Sequence, residues 1–169
     1  MMLRNKSYMK IIFTILAGFL FAYTVQSQEI KKIKITDLKK IIAESKTPLV
    51  ISFWATFCKP CIEEIPYFQE EVNKHKDSIR LLLVSLDLED YYPAKIRSFA
   101  VKQKFTAPIV WLDEFNADYF CPAIDSSWSG AIPATLFINN SIIYHAFREE
   151  QLSREKFRQE ITALLGKKD

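Results

Sequence analysis

Two cysteines three residues apart, placed where an apolar segment meets a helix-forming segment, constrain this chain more than any other feature. Cys58 and Cys61 lie within residues 54–61 (WATFCKPC). The residues just before, 49–53 (LVISF), are apolar and rich in β-branched and aromatic side chains, which predicts a buried strand. The residues that follow, to about His75, favour a helix. The sequence therefore places a cysteine pair at the start of a helix that follows a strand.

The start of a helix is a site that changes the chemistry of a thiol. Its unpaired N–H groups and its dipole favour negative charge, so we expect the pKa of Cys58 to lie below the ~8.5 of a free cysteine. The i, i+3 spacing lets the sulfur of Cys61 reach that of Cys58, so the pair can close a small disulfide ring and reopen it. A stable structural disulfide is the alternative. We predict a redox-active pair, because a strand-to-helix corner is an unusual place for a structural bridge.

A zinc site is a second alternative for the same cysteines. Cys58, Cys61 and Cys121 with either His75 or His145 would make a Cys₃His set. The second half of the chain has no paired ligand spacing, so we predict no metal site and interpret both histidines as structural. We interpret Cys121 as a small buried apolar residue. The alternative is a third redox thiol that traps a mixed disulfide.

Residues 1–27 have the pattern of an export signal. Arg4, Lys6 and Lys10 precede an apolar run over residues 11–23, and Ser27 provides a small residue at a cleavage position. We predict cleavage after Ser27, which leaves a domain of residues 28–169. The alternative is an uncleaved membrane anchor through residues 11–25, although this run is short for a membrane span.

The charge of the predicted domain argues against nucleic acid as a partner. The whole chain carries a net charge of +3, with 23 basic and 20 acidic residues. The three basic residues before position 28 account for this excess, and the domain is neutral without them. Nucleic-acid binding would call for a basic surface.

Alternating β and α patterns predict the order β-α-β-α-β-α-β-β-α. A further short helix is expected in the irregular segment 113–130. The predicted strands are 29–35, 49–54, 79–87, 109–112, 133–138 and 142–147, and the predicted helices are 36–45 (capped by Thr36), 58–75, 93–104 and a last one capped by Ser153.

This order, with a Cys-X-X-Cys after the second strand, resembles the thioredoxin fold. The details resemble the TlpA/ResA-like thiol-disulfide oxidoreductases that bacteria export. The resemblance covers residues 30–165 and depends on 53–61, on Glu64 and Pro66, and on 128–136 (WSGAIPATL). It implies an α/β fold with a mixed central β-sheet flanked by helices.

The resemblance also implies roles for individual residues. Cys58 would be the exposed nucleophile, Cys61 the resolving thiol, and the two would form the redox-active disulfide. Pro133 would follow a cis peptide bond and face the disulfide, and the backbone of Ile132 would pair with a substrate peptide; an ordinary trans proline is the alternative. Of the two nearby tryptophans, we expect Trp128 at the rim. The predicted substrate-binding residues are Trp54, Phe57, Pro60, Trp128, Ile132 and Pro133.

One departure from thioredoxin concerns the proton of the resolving thiol. Thioredoxins carry a buried Asp at the position of Ser52, and a serine cannot take up that proton. The TlpA/ResA-like branch has a Glu at the position of Glu64, three residues after Cys61 and on the same helix face. We therefore hypothesise that Glu64 is catalytic and accepts the proton of Cys61. The alternative is a solvated helix carboxylate like its neighbour Glu63.

The implied activity is an enzymatic exchange of disulfides with protein substrates, as a periplasmic reductant. It needs no cofactor, because the electrons come from an upstream thiol protein; a membrane would be touched only through a retained N-terminal segment. One alternative is a copper-handling protein that pairs the cysteines with His145. Another is a peroxiredoxin-type peroxidase, which calls for a Thr three residues before its cysteine, where this chain has Ala55. A redox-silent binding module is the third.

Overall fold

The computed structural model describes residues 29–75 and 78–167, and these residues build a mixed sheet with helices on both faces. The predicted export signal, residues 1–27, lies outside the described residues. The strands are β1 (Lys31–Ile33), β2 (Leu49–Trp54), β3 (Arg80–Ser85), β4 (Ile109–Leu112), β5 (Ala134–Asn139) and β6 (Tyr144–Arg148).

The sheet has the strand order β1-β4-β3-β2-β5-β6. The first four strands of this order run parallel, whereas β5 is antiparallel to β2 and β6 is antiparallel to β5. The helices within the described ranges are α1 (Ile35–Ala43), α2 (Lys59–Lys74), α3 (Ala94–Lys102), α4 (Ala117–Ile124) and α5 (Arg154–Leu164), with a 3₁₀ turn at Glu89–Tyr91. None of these helices has the length and apolar character required to cross a membrane.

The predicted fold class is confirmed, and each of the six predicted strand ranges overlaps an observed strand, although the predicted order of elements contains only five strands. The described residues also form one helix more than that order contains. The added helix is α4, the short helix expected in the irregular segment. The predicted Ser153 cap is confirmed, since its hydroxyl accepts a hydrogen bond from the N–H of Lys156 at 3.2 Å. The predicted Thr36 cap is wrong. The helix begins one residue earlier, and the Asp37 carboxylate accepts the N–H of Lys34 at 2.9 Å instead.

The central strand β2 is buried along its whole length because both faces of the sheet are covered. Val50 and Trp54 pack on the side of α2, α3 and α5, whereas Ile51 and Phe53 pack on the side of α1 and α4. Phe68 of α2 and Phe157 of α5 stack with their ring centroids 3.8 Å apart, and both are fully buried. Helix α2 thus packs against both the sheet and its neighbour α5.

Candidate active site

The cysteine pair sits where β2 delivers the chain to the N-terminus of α2. Cys58 is the N-cap residue, and its Sγ accepts a hydrogen bond from the N–H of Cys61 at 3.3 Å. Pro60 occupies the first turn, where a missing N–H costs nothing because that group would have no partner within the helix. The predicted placement of the pair at a helix start is confirmed.

The two sulfurs are joined in a disulfide, with 5.3 Å between the Cα atoms of Cys58 and Cys61. Cys61 is fully buried, and Cys58 is 6% exposed. Cys58 is therefore the more accessible of the two, as the resemblance implied, but it is not openly exposed. The reason is that Cys58 belongs to the same apolar cluster as Cys61 and Trp54.

A buried carboxylate that sequence reasoning missed fixes the loop before the cysteines. Oδ1 of Asp87 accepts hydrogen bonds from the N–H of Thr56 at 3.0 Å and from its hydroxyl at 2.6 Å. Oδ2 accepts the Ser85 hydroxyl at 2.8 Å. Its position at the end of the predicted strand 79–87 was the available signal, because ligating and catalytic groups collect at the carboxyl ends of parallel strands. Asp87 holds the loop from a neighbouring strand.

The predicted cis proline lies at the same end of β2. The Ile132–Pro133 peptide bond is cis, as the resemblance implied, and so is the unpredicted Tyr92–Pro93 bond. Ala134 of β5 pairs with Phe53 of β2, so the antiparallel register brings Pro133 to the point where β2 ends and the cysteine loop begins. Pro133 is buried and Ile132 is half-buried.

A second carboxylate that the sequence analysis missed holds the loop before this proline. Glu149 follows β6, and its Oε1 accepts the N–H of Ala131 at 2.8 Å and the hydroxyl of Ser129 at 2.5 Å. The N–H of Ser129 lies 3.1 Å from both carboxylate oxygens. Although burial acts in the opposite direction, the hydrogen bonds from these two residues lower the pKa of Glu149. The carboxylate thereby ties the Pro133 loop to the edge strand.

Glu64 is a buried carboxyl group on the face of α2 that carries Cys61. Its side chain is inaccessible to solvent, whereas Glu63 is exposed, so the interpretation of Glu64 as a solvated carboxylate is wrong. Oε2 accepts the N–H of Leu152 at 3.0 Å, and Oε1 has no hydrogen-bond partner among the described residues. Burial raises the pKa of Glu64 to about 8, partly opposed by the hydrogen bond from Leu152. This residue is a protonatable group with one free oxygen.

Two of the predicted substrate-binding residues are too deeply buried to contact a substrate. Phe57 is 68% exposed, and Pro60 is partly exposed. Trp54 is 0% exposed, so it supports the site from the core and cannot touch a substrate. The rim position predicted for Trp128 is wrong, because its ring is 5% exposed and lies 4.4 Å from the ring of Phe53. The rings of Phe120 and Phe147 enclose Trp128 further.

The other candidate ligands and the third thiol are not part of the site around Cys58 and Cys61. Cys121 is buried in the apolar cluster on the opposite face of the sheet, and burial raises its pKa to about 11. His75 caps the C-terminus of α2, and Nε2 of His145 lies 2.8 Å from Oδ2 of Asp125. Across residues 29–75 and 78–167, no group of three or more His, Cys, Asp or Glu side chains is arranged to hold a metal ion. The Cys₃His alternative is therefore not assembled.

Sequence comparisons match this chain to one protein family and to individual bacterial proteins. The model of the AhpC/TSA family matches residues 20–146. The chain is 32% identical over 73 residues to the thioredoxin-like protein YneN of Bacillus subtilis, an alignment covering 42% of each chain. It is 30% identical over 87 residues to the thiol-disulfide oxidoreductase ResA of Bacillus cereus, covering 52% of this chain and 46% of that one. The matches thus span less than half the length of these relatives.

The fold has its own relatives among solved structures. A thioredoxin-related protein from Neisseria meningitidis serogroup B superposes with a TM-score of 0.63 at 19% identity, covering 75% of this chain and 91% of that one. At this level of identity the similarity concerns the fold alone. It agrees with the thioredoxin fold predicted from the order of strands and helices.

Proposed function

The chain belongs to the AhpC/TSA family, and we propose that it is a thiol-disulfide oxidoreductase that exchanges disulfides with protein substrates through Cys58 and Cys61. The observation that carries this proposal is the position of Cys58 as the N-cap of α2, with Cys61 buried directly behind it and already bonded to it. A helix N-terminus stabilises a thiolate, which is the attacking species in disulfide exchange. We further propose that the protein acts as a reductant.

The reaction begins with the pair in its reduced form. The Cys58 thiolate attacks one sulfur of a substrate disulfide, so a mixed disulfide forms and one substrate thiolate leaves. Cys61 then loses its proton and attacks Sγ of Cys58, which re-forms the Cys58–Cys61 disulfide and releases the second substrate thiolate. The substrate gains two electrons and the pair loses two. A thiol protein upstream restores the reduced pair by the reverse exchange, so no cofactor is required.

The surroundings of Glu64 support its proposed role as the acceptor of the Cys61 proton in the second step. Because Cys61 is buried, water cannot act as the base for its thiol, and the protein must provide one. Glu64 lies one turn after Cys61, and its Oε1 has no hydrogen-bond partner among the described residues. Proton transfer is most efficient when the base has a pKa near the operating pH. A carboxyl group whose pKa burial raises to about 8 meets this condition, whereas an exposed glutamate does not.

The competing functions find less support in the described residues. A copper protein that pairs the cysteines with His145 would need that ring free, and His145 instead contacts Asp125. The peroxidase alternative lacks its expected Thr, since residue 55 is a fully buried alanine. A non-catalytic binding module would leave the pair permanently oxidised or permanently reduced.

Export and location follow from the N-terminal pattern and are part of the proposal. Residues 1–27 would direct the domain to the periplasm, where disulfides form and persist. The partners would be protein thiols and disulfides together with an upstream thiol reductant. A membrane would be involved only if the segment 11–25 is retained as an anchor.

Trapping of the mixed disulfide tests the proposed function. Cys61→Ser removes the resolving sulfur, so partner proteins should remain attached to Cys58 and migrate as adducts that dithiothreitol releases. Cys58→Ser is the matched control, because it keeps a thiol in the same motif but at the buried position. Adducts with the first variant alone support the proposal. Equal adducts with both variants, or none with either, would contradict it.

A further inference from the structure

An open groove begins beside the cysteine pair and runs along α3. It has a volume of about 450 Å³, and Phe57 is one of its lining residues. Phe57 directly precedes Cys58 in the chain. The groove therefore includes the residue next to the reacting cysteine. We call it the α3 groove.

The floor of the α3 groove is aromatic and anchored in the core. Phe99 and Tyr91 line it together with the exposed ring of Phe57. The ring centroid of Phe99 lies 6.1 Å from that of the fully buried Trp54. Since Trp54 ends the strand that delivers the cysteines, the groove is fixed relative to the disulfide.

Two lysines give the groove a positive charge that no ion pair with a described carboxylate neutralises. Lys95 and Lys102 line it, with Ser98 between them on the same helix face. Lys95 Nζ lies 4.6 Å over the ring of Tyr91, and neither lysine forms an ion pair with a carboxylate within residues 29–75 and 78–167. Seven helical residues separate the lysines by about 10 Å, which about three residues of an extended chain span.

The nearby acidic groups leave this charge unmatched. Glu89 and Asp90 stand in the 3₁₀ turn before α3 but do not line the groove. Among the other acidic groups near the cysteine pair, Glu149 holds the Pro133 loop and Glu63 pairs with Lys59 on α2. None of these carboxylates is among the residues that line the groove with Lys95 and Lys102.

We propose that the α3 groove binds an extended segment of a partner protein that carries acidic residues around an apolar one, a few residues from the partner's reacting cysteine. The aromatic floor takes the apolar side chain, and Lys95 and Lys102 pair with the carboxylates. This inference rests on the proposed function, since it supplies the specificity of the same site. It predicts that the protein distinguishes its disulfide substrates by the charge of the flanking sequence.

Two matched peptides test the proposal with the full chain. Both contain one disulfide and the same apolar residue, and they differ only in carrying two Asp or two Lys at the flanking positions. The wild-type protein should reduce the acidic peptide about fivefold faster at limiting substrate, and Lys95→Glu with Lys102→Glu should abolish or reverse this preference. Lys39→Glu with Lys40→Glu on α1 is the control, because it makes the same charge change on the other face of the sheet.

The outcomes separate this inference from the proposed function. The proposal for the groove would be overturned if the α3 double variant kept the preference for the acidic peptide, or if the α1 control lost it equally. Failure of the wild type to reduce a small neutral disulfide would overturn the proposed function instead. In that event, a fluorescent thiol-free acidic peptide still tests the groove: binding to the oxidised protein that the α3 variant alone loses supports it, and no binding overturns it.

Discussion

Glu64 is a buried carboxyl group whose pKa differs strongly from that of a glutamate in water. It lies on the helix of the cysteine pair. One oxygen accepts the N–H of Leu152, and the other has no hydrogen-bond partner in the described part of the chain. A charged carboxylate without a cationic partner costs free energy in a buried position. Glu64 therefore keeps its proton at pH values well above those at which an exposed glutamate loses it. The same feature has a kinetic and a thermodynamic consequence.

The kinetic consequence concerns the pH dependence of disulfide exchange. If Glu64 accepts the proton of Cys61, the rate of resolution of the mixed disulfide should rise as pH increases towards about 8, the pKa of Glu64. Glu64→Gln should slow this step by about 10²-fold near pH 7 and displace its pH profile towards alkaline values. Stopped-flow measurement of resolution checks this, with Glu63→Gln as the exposed control. An identical profile for wild type and Glu64→Gln would exclude the proton-acceptor role.

The thermodynamic consequence is a loss of stability as pH rises. The folded protein holds the Glu64 proton up to about pH 8, whereas an unfolded glutamate loses it near 4.5. Between these values the folded state binds more protons, so the free energy of unfolding falls as pH increases, by a few kcal/mol at most. The wild type should lose more stability than Glu64→Gln between pH 5 and 8 in oxidised samples unfolded by urea. Parallel pH dependence of the two proteins would contradict the raised pKa.

At the scale of elements, two carboxylates hold the two loops of the site. Asp87 reaches the cysteine loop from the end of β3, and Glu149 reaches the Pro133 loop from the end of β6. Each accepts backbone N–H groups that otherwise have no strand or helix partner. The sheet thus positions both loops through its own strand ends.

The Glu149 contact predicts a local change when it is removed. Glu149→Ala should expose the amides of Ser129 and Ala131, so their hydrogen exchange should accelerate by about 10-fold or more while β5 remains protected. The control is Glu150→Ala, because Glu150 pairs at the surface with Lys156. The lowered pKa of Glu149 also sets the direction of its pH dependence. Its contribution to stability is present above the ordinary pKa of a glutamate and is lost as pH falls through the lowered value. Unchanged exchange in Glu149→Ala would contradict the contact.

Local signals explain which elements were predictable. The cysteine motif, the β2 strand, the Ser153 cap and the Ile-Pro that precedes β5 are each encoded within a few residues, and the structure confirms them. Trp128 was misplaced because its neighbours Phe53 and Phe147 are distant in sequence. Asp87 and Glu149 were missed for the same reason.

At the scale of the whole molecule, the charge pattern distinguishes the predicted export signal from the domain that follows it. The net charge of +3 resides in Arg4, Lys6 and Lys10, and the remaining chain is neutral. Expression in a bacterial host should therefore yield a periplasmic domain whose first residue is Gln28. N-terminal sequencing and intact mass check this, and Lys6→Glu with Lys10→Glu should retard export. A full-length chain in the cytoplasm would contradict the predicted signal.

The central claim is that Cys58 and Cys61 form a disulfide that opens and closes reversibly. Equilibration of the mature domain with defined ratios of reduced to oxidised glutathione, followed by acid quenching and thiol labelling, measures it directly. We expect one two-electron transition, reached equally from the oxidised and the reduced protein, at a potential nearer to the ~−270 mV of thioredoxin than to the ~−120 mV of a strong oxidant. A disulfide that persists in excess reductant, or one that never forms, would contradict it.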